Sequence, residues 1–350
     1  MALRLIYLRV RAFLRDAAII LLVTVVFAEI ALRVYHAVEP TFIFPDTEYK
    51  RYLGRPGALE YDFKLNSLGF KDTEFKREKP PGGYRILALG DSFAWGVVPY
   101  PDNYLTLLEK FLEAKQPGVE VLNMGVPGID PEDYLAVLVN EGLAFDPDAV
   151  LLSFFIGNDF EPKLLRSKFI YPYSYLATYV RAVYKMLPHP ILDGELRKYD
   201  DGRPLFSEQY FLALEVKRSE IYQPKGRKKL YAALDRVMEL IGRIRSICEQ
   251  RKMKLLVVLI PDELQVSADL QRQVATVARV NPDHLDLPNR LLSARLRQAS
   301  IEYPDLLPLM REQGRKQVLY KPRDTHWNIA GNQLAADAIA EAISGWLSRE

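Results

Sequence analysis

One cysteine, Cys248, in 350 residues excludes an intrachain disulfide and any site built from several thiolates. Histidine is nearly as scarce, with only His36, His189, His284 and His326. No three of them share a metal-ligand spacing, so no metal is expected, and nothing in the chain calls for an organic cofactor. Charge of one sign is also missing: 47 Lys and Arg against 45 Asp and Glu leave a net +2. With no basic block interleaved with aromatics, no nucleic-acid partner is expected. The one basic cluster, Lys225-Gly226-Arg227-Lys228-Lys229, opens a helical pattern and reads as a solvated helix end. Repeats and low-complexity tracts are absent. Apolar residues are in good supply, at 49%, ample for a sizeable core.

Long apolar runs occur once. Ala17 to Leu32 reads AAIILLVTVVFAEIAL, with Glu29 its single charge, and Arg33 to Tyr35 extend it toward the roughly 20 residues a bilayer requires. Arg4, Arg9, Arg11 and Arg15 precede it, whereas Glu39, Asp46 and Glu48 follow. This asymmetry puts residues 1–16 in the cytoplasm and the bulk of the chain outside it. A cleaved signal peptide competes with this reading, but no A-x-A site follows the apolar stretch. The expectation is an uncleaved single-pass anchor over 17–35 in the inner (cytoplasmic) membrane, with the rest of the chain periplasmic. Glu29, close to the outer edge, is expected to reach the headgroups.

Residues 36–82, with five prolines and no sustained helical period, read as a stem that packs partly on the main domain. A regular pattern follows. Short apolar runs at Arg85–Gly90, Val119–Met124, Asp148–Phe155 and Met253–Ile260 have strand length, and Gln317–Tyr320 is a fifth, shorter candidate. Helical patterns alternate with them at Asn103–Lys115, Pro131–Leu143, Lys229–Glu249, Glu263–Val280, Asn289–Gln298 and Ile329–Leu347. Continuous apolar strands separated by helices predict an α/β domain over 83–350. Its expected form is a doubly wound, flavodoxin-like parallel sheet of about five strands with helices on both faces. The ligand crevice should lie at the C-terminal ends of the strands. An insertion at about 160–228 interrupts the pattern and carries Tyr171, Tyr173, Tyr175, Tyr179 and Tyr184. It reads equally as a lid or substrate wall and as a structural subdomain.

Candidate chemistry falls just after the strand ends. Gly90-Asp91-Ser92 follows the first strand, Gly125 the second, and Gly157-Asn158-Asp159 the third. A serine hydroxyl is a poor nucleophile until a histidine takes its proton and a carboxylate orients that histidine. Only His326 has a carboxylate two residues before it, Asp324. Gly125 could donate its N–H to an oxyanion or merely supply a positive φ. Asn158 could do the same with its side-chain amide, or cap a turn. Asp159 reads as a local cap or loop anchor.

These four pieces, in this order, resemble the SGNH (GDSL-type) hydrolase superfamily over most of residues 83–350. The resemblance assigns the nucleophile to Ser92 and oxyanion donors to Ser92, Gly125 and Asn158. The last block of that family reads Asp-x-x-His; here Arg323 stands three before His326, and Asp324 stands two before it. The Asp-x-His-Trp form is similar to SGNH-like acyltransferases and esterases of bacterial exopolysaccharide assembly, such as those that acetylate alginate. In those the Asp-x-His precedes the serine, whereas here it follows. The stem sequence Asn66-Ser67-Leu68-Gly69-Phe70-Lys71-Asp72 resembles that of membrane-anchored SGNH proteins and names no substrate. The resemblance implies a serine esterase acting on an O-acyl ester, with an acylated envelope or secreted polysaccharide as partner. The alternatives are an O-acyltransferase with the same residues, a catalytically silent scaffold, and a lipase or thioesterase. An ion pair of Asp324 with Arg323 or Lys321 would reduce the triad to a dyad. No protein partner is indicated.

Overall fold

The computed structural model describes residues 2–38, 49, 53–61, 63–161, 174–186, 199–223, 226–278 and 280–346. The chain divides into two compact units, one of Tyr52–Lys163 with Leu192–Glu350, the other of Met1–Arg51 with Leu164–Ile191.

The first unit is an α/β layer structure around four parallel strands: β1 (Tyr84–Leu89), β2 (Val119–Asn123), β3 (Ala149–Phe155) and β4 (Lys254–Ile260). Their order is β2-β1-β3-β4. β1 and β3 are buried along almost their whole length, which is why both read as apolar runs rather than alternating ones. Successive residues face opposite layers. Ile86, Ala88, Leu151 and Val258 share one core with Leu105, Leu108 and Ile339. Gly142 packs against Leu87 from the opposite side. The order reverses between β1 and β3, so the crevice of a doubly wound sheet opens beyond the C-terminal ends of these two strands.

The helices of this unit are α2 (Ser92–Trp95), α3 (Tyr104–Lys115) and α4 (Pro131–Asn140). The second unit contains α1 (Ala2–Val38) and α5 (Tyr175–Met186). The sheet unit resumes with α6 (Glu208–Arg218), α7 (Arg227–Gln250), α8 (Glu263–Val266), α9 (Ala268–Ala275), α10 (Leu287–Gln298), α11 (Leu307–Gly314) and α12 (Ile329–Ala342). Several starts are set by local chemistry. Asn103 accepts from Leu105 N at the head of α3, and Asn328 accepts from Gly331 N at the head of α12. Asp130 caps α4 in a capping box with Asp133, with Pro131 at the first helical position.

Three sequence expectations change. The fifth strand is not Gln317–Tyr320, which contributes only an antiparallel bridge from Tyr320 to Trp327. Instead, Glu302 and Asp305 make isolated parallel bridges to Leu256 and Leu259 at the outer edge of β4. Val257 N and Leu259 N donate to the carbonyls of Glu302 and Pro304. Pro304 has no N–H to offer, which suits an edge and prevents a full strand. The long helix expected over Glu263–Val280 is two, because Ser267 turns extended and caps α9 through Leu270 N. Finally, residues 53–82, expected to pack only partly on the main domain, group with the sheet unit as a whole.

In the second unit, α1 is 37 residues long, and its segment Ile6–Tyr35 is long and apolar enough to cross a membrane. Glu29 does not simply project outward. Its carboxylate accepts from Ser174 Oγ, Tyr175 N and Leu176 N, capping α5, and pairs with Arg33. Of the tyrosine cluster, Tyr175, Tyr179 and Tyr184 lie in α5, while Tyr171 and Tyr173 fall outside the described residues. His189 and Lys225 fall outside them as well.

Candidate active site

Ser92 opens α2 immediately beyond β1, so its N–H lies in the first helical turn, where the helix itself supplies no acceptor. The buried Asp91 caps that turn by accepting from Phe93 N at 2.9 Å. Only one further turn of helix follows before Gly96, which adopts φ 79°. Ser92 is thus fixed at the strand-to-helix corner and remains partly open to solvent.

His326 meets it from the other end of the chain. Nε2 of His326 is 2.8 Å from Ser92 Oγ, and Nδ1 is 2.7 Å from Asp324 Oδ1. Two residues of spacing suffice because the loop is wound tightly. Arg323 and Thr325, on either side of Asp324, adopt φ of 50° and 70°. Left-handed backbone is uncommon outside glycine and costly for a β-branched residue. The turn is closed at its base by Lys321 N donating to His326 O and Asn328 N donating to Leu319 O.

Asp324 faces two partners. Its other oxygen, Oδ2, is 2.6 Å from Lys321 Nζ, an ion-pair contact rather than an aligned hydrogen bond. Burial would raise this carboxyl, but His326 and Lys321 outweigh burial and hold it below the ordinary carboxylate range. The Lys321 pair therefore adds to the His326 contact and does not displace it.

Gly125 packs against α2, and neither it nor Asn158 is hydrogen-bonded to Ser92 or His326. A Cβ on Gly125 would meet Trp95 N at 2.4 Å and Ala94 C at 2.6 Å, so only glycine fits against the back of α2. Close approach, not positive φ, explains the residue. Its N–H is already donated to Asn123 Oδ1 at 2.9 Å. To serve an oxyanion it must release or share that bond. Asn158 follows β3, and its side-chain oxygen is buried without a hydrogen-bond partner. Asp159 is a loop anchor, accepting from Tyr134 OH and Phe155 N. Burial first, then neighbouring carboxylates, raise it well above its ordinary range.

A set of buried polar residues to which the sequence assigns no role holds the loop after Ser92 from behind. Lys71 is fully buried, and its Nζ donates to Gly96 O at 2.6 Å and Val98 O at 2.7 Å. Lys321 Nζ reaches Val97 O between them. Glu60 accepts from Trp95 Nε1 and pairs with Lys71. Asp72 accepts from Asn123 N and Tyr100 OH, while Asn123 Nδ2 donates to Ala94 O. Burial lowers Lys71 to about 8 against the pull of Glu60, and burial pushes Asp72 up to about 6. The signal was visible as the Asn66–Asp72 motif, yet nothing local shows that a lysine and an aspartate there become buried.

No group of three or more His, Cys, Asp or Glu suited to a metal ion occurs among the described residues. Cys248 is buried and burial pushes its thiol up to about 12, which leaves it unreactive.

Residues 218–348 match the family described as SGNH hydrolase-like domain, acetyltransferase AlgX. Over 154 residues the chain is 28% identical to a probable alginate O-acetylase AlgJ of Pseudomonas putida, covering 43% of this chain and 37% of that protein. The chain thus spans little more than a third of that relative. Similar solved structures include a catalytic mutant of the acetylxylan esterase Axe2 from Geobacillus stearothermophilus. It is 13% identical with TM-score 0.43, covering 78% of this chain and 100% of that one. Another is a lipase/acylhydrolase from Enterococcus faecalis, 17% identical with TM-score 0.42, covering 76% and 98%.

Proposed function

We propose that this chain, an SGNH hydrolase-like protein, cleaves O-acyl esters through an acyl-enzyme on Ser92, with acylated envelope or secreted polysaccharide as the substrate class. The observation that carries this reading is the continuous chain Asp324 Oδ1···Nδ1 His326 Nε2···Oγ Ser92, at 2.7 and 2.8 Å. His326 takes the Ser92 proton as Oγ attacks the acyl carbonyl, and Asp324 holds the imidazole and stabilises its charged form. The tetrahedral oxyanion meets the Ser92 N–H and the Asn158 amide, and Gly125 N–H joins once it turns from Asn123. Each such donor is worth about 3 kcal/mol of barrier. His326 then returns the proton to the departing alcohol, and water attacks the acyl-enzyme by the same route.

A second reading has its own support. In transfer, a sugar hydroxyl replaces that water, and the family match and the similarity to AlgJ both carry names that refer to acetylation. In either reading α1 holds the chain in the inner membrane, with the sheet unit on the extracytoplasmic side. That placement rests on the apolar span and the arginines ahead of it.

Fluorophosphonate labelling of the detergent-solubilised full chain tests the nucleophile. Wild type is expected to label and Ser92→Ala is not. Equal labelling of both overturns the assignment in favour of another nucleophile, and labelling of neither overturns it in favour of a silent scaffold. Incubating the labelling-competent protein with an acetyl ester, with and without oligosaccharide acceptors, then separates hydrolysis from transfer.

A further inference from the structure

We propose that α5 is an interfacial helix whose outward face lies in the lipid of the outer leaflet, beside the membrane-crossing α1. The inference rests on reading α1 as that crossing helix. Three observations carry it.

The first is depth. Glu29 is six residues before Tyr35, where the apolar span Ile6–Tyr35 ends. At about 1.5 Å per residue, that is roughly 9 Å below the span's outer end. A carboxylate at such a level is costly unless its oxygens are satisfied. The N-terminus of α5 supplies what it needs: Tyr175 N at 2.9 Å, Leu176 N at 2.8 Å and Ser174 Oγ at 3.1 Å. Arg33 neutralises the charge at 2.8 Å and lies over the Tyr175 ring. The start of α5 is therefore tied to a point inside the span.

The second is the face of contact. Between Ile6 and Tyr35, only Ala28, Glu29 and Leu32 are partly covered; every other residue of that stretch is exposed. On α5, Thr178 is buried at 3%. The two helices thus cross once, near the outer end of α1, and α5 does not run down its length.

The third is the opposite face. Tyr179 and Val180 are 38% and 57% exposed. An aromatic and an aliphatic side chain exposed at this level, on a helix whose start is tied to Glu29, suit a helix lying in the membrane interface. Val25, Val26, Phe27 and Ile30 are exposed on α1 around the same level, so the lipid that covers them is continuous with the lipid beside α5.

The test uses the full chain in vesicles of phosphatidylcholine and phosphatidylglycerol, in a Cys248→Ala background with one bimane-labelled cysteine. The reporters are Val180→Cys and Tyr179→Cys on α5, Phe27→Cys on α1, and Tyr231→Cys on the exposed side of α7. Brominated lipid is expected to quench the labels at 179, 180 and 27, and aqueous iodide to quench only the label at 231. Lipid quenching at 27 with iodide quenching at 179 and 180 overturns the inference and leaves the anchor intact. Labels at 179 and 180 shielded from both quenchers place them against protein, which also overturns it. Iodide quenching at 27 overturns the anchor and the inference together.

Discussion

The two halves of the candidate site are built in opposite ways. Ser92 stands on a central strand of a parallel sheet, and the loop behind it is held by buried side chains: Lys71 on the Gly96 and Val98 carbonyls, Asn123 on Ala94 O. Asp324 and His326 stand on a short turn that leans on no strand. It is held by a bridge at its base, by Phe206 N donating to Arg323 O, by two left-handed residues and by one ion pair. Ser92 is positioned by packing and His326 by a strained turn with local charges. A site of this kind tolerates little change in charge on one side and little change in backbone on the other.

The largest effect tests the base side. Asp324→Asn keeps the shape but removes the charge that orients His326. We expect turnover of an acyl ester to fall by about 10³- to 10⁴-fold, with the folded structure retained. A loss smaller than tenfold would assign the orienting role to another group.

On the nucleophile side, Lys71→Met leaves the Gly96 and Val98 carbonyls buried without a donor. The expected cost is about 2–4 kcal/mol in chemical denaturation, with fluorophosphonate labelling slowed in whatever remains folded. A variant as stable as wild type would show that packing alone holds the loop.

Asp72 sharpens the comparison through pH. Burial raises its carboxyl from 3.8 to about 6. A group whose folded pKa is raised contributes stability below its unfolded pKa and loses it as pH rises through the folded value. From pH 4 to pH 7, wild type should therefore lose roughly 2 kcal/mol relative to Asp72→Asn. Denaturation midpoints of both proteins across that range, moving in parallel, would contradict the burial that sets the shift.

The smallest effect belongs to Thr325→Gly. Relief of the left-handed backbone should stabilise the fold by about 1 kcal/mol, while the loosened turn lowers kcat with little change in KM. A variant with unchanged kcat would mean that the turn's strain does no positioning.

The sheet could be read from sequence because β1, β3 and β4 are buried on both faces and so are spelled as unbroken apolar runs. The edge could not, since Glu302–Asp305 carries a proline and two carboxylates and pairs only through a few backbone groups. Ser92 was visible from its position after β1. Asp324, two residues before the histidine, was the natural carboxylate, but how so short a spacing can work depends on positive φ at Arg323 and Thr325, which neither residue type signals. Lys71 and Asp72 could not be found by composition, because a charged side chain reads as solvated until its tertiary partners are known.

Ser92 and His326 are hydrogen-bonded across 234 residues of chain. A polypeptide made from its N-terminus completes the cradle of Lys71, Asp72, Asn123 and Ser92 long before it reaches residue 326. On the proposed mechanism, any product cut short between β4 and that residue carries an unactivated serine on a completed sheet. A protease cutting in the same interval would then switch off the proposed chemistry while sparing Ser92.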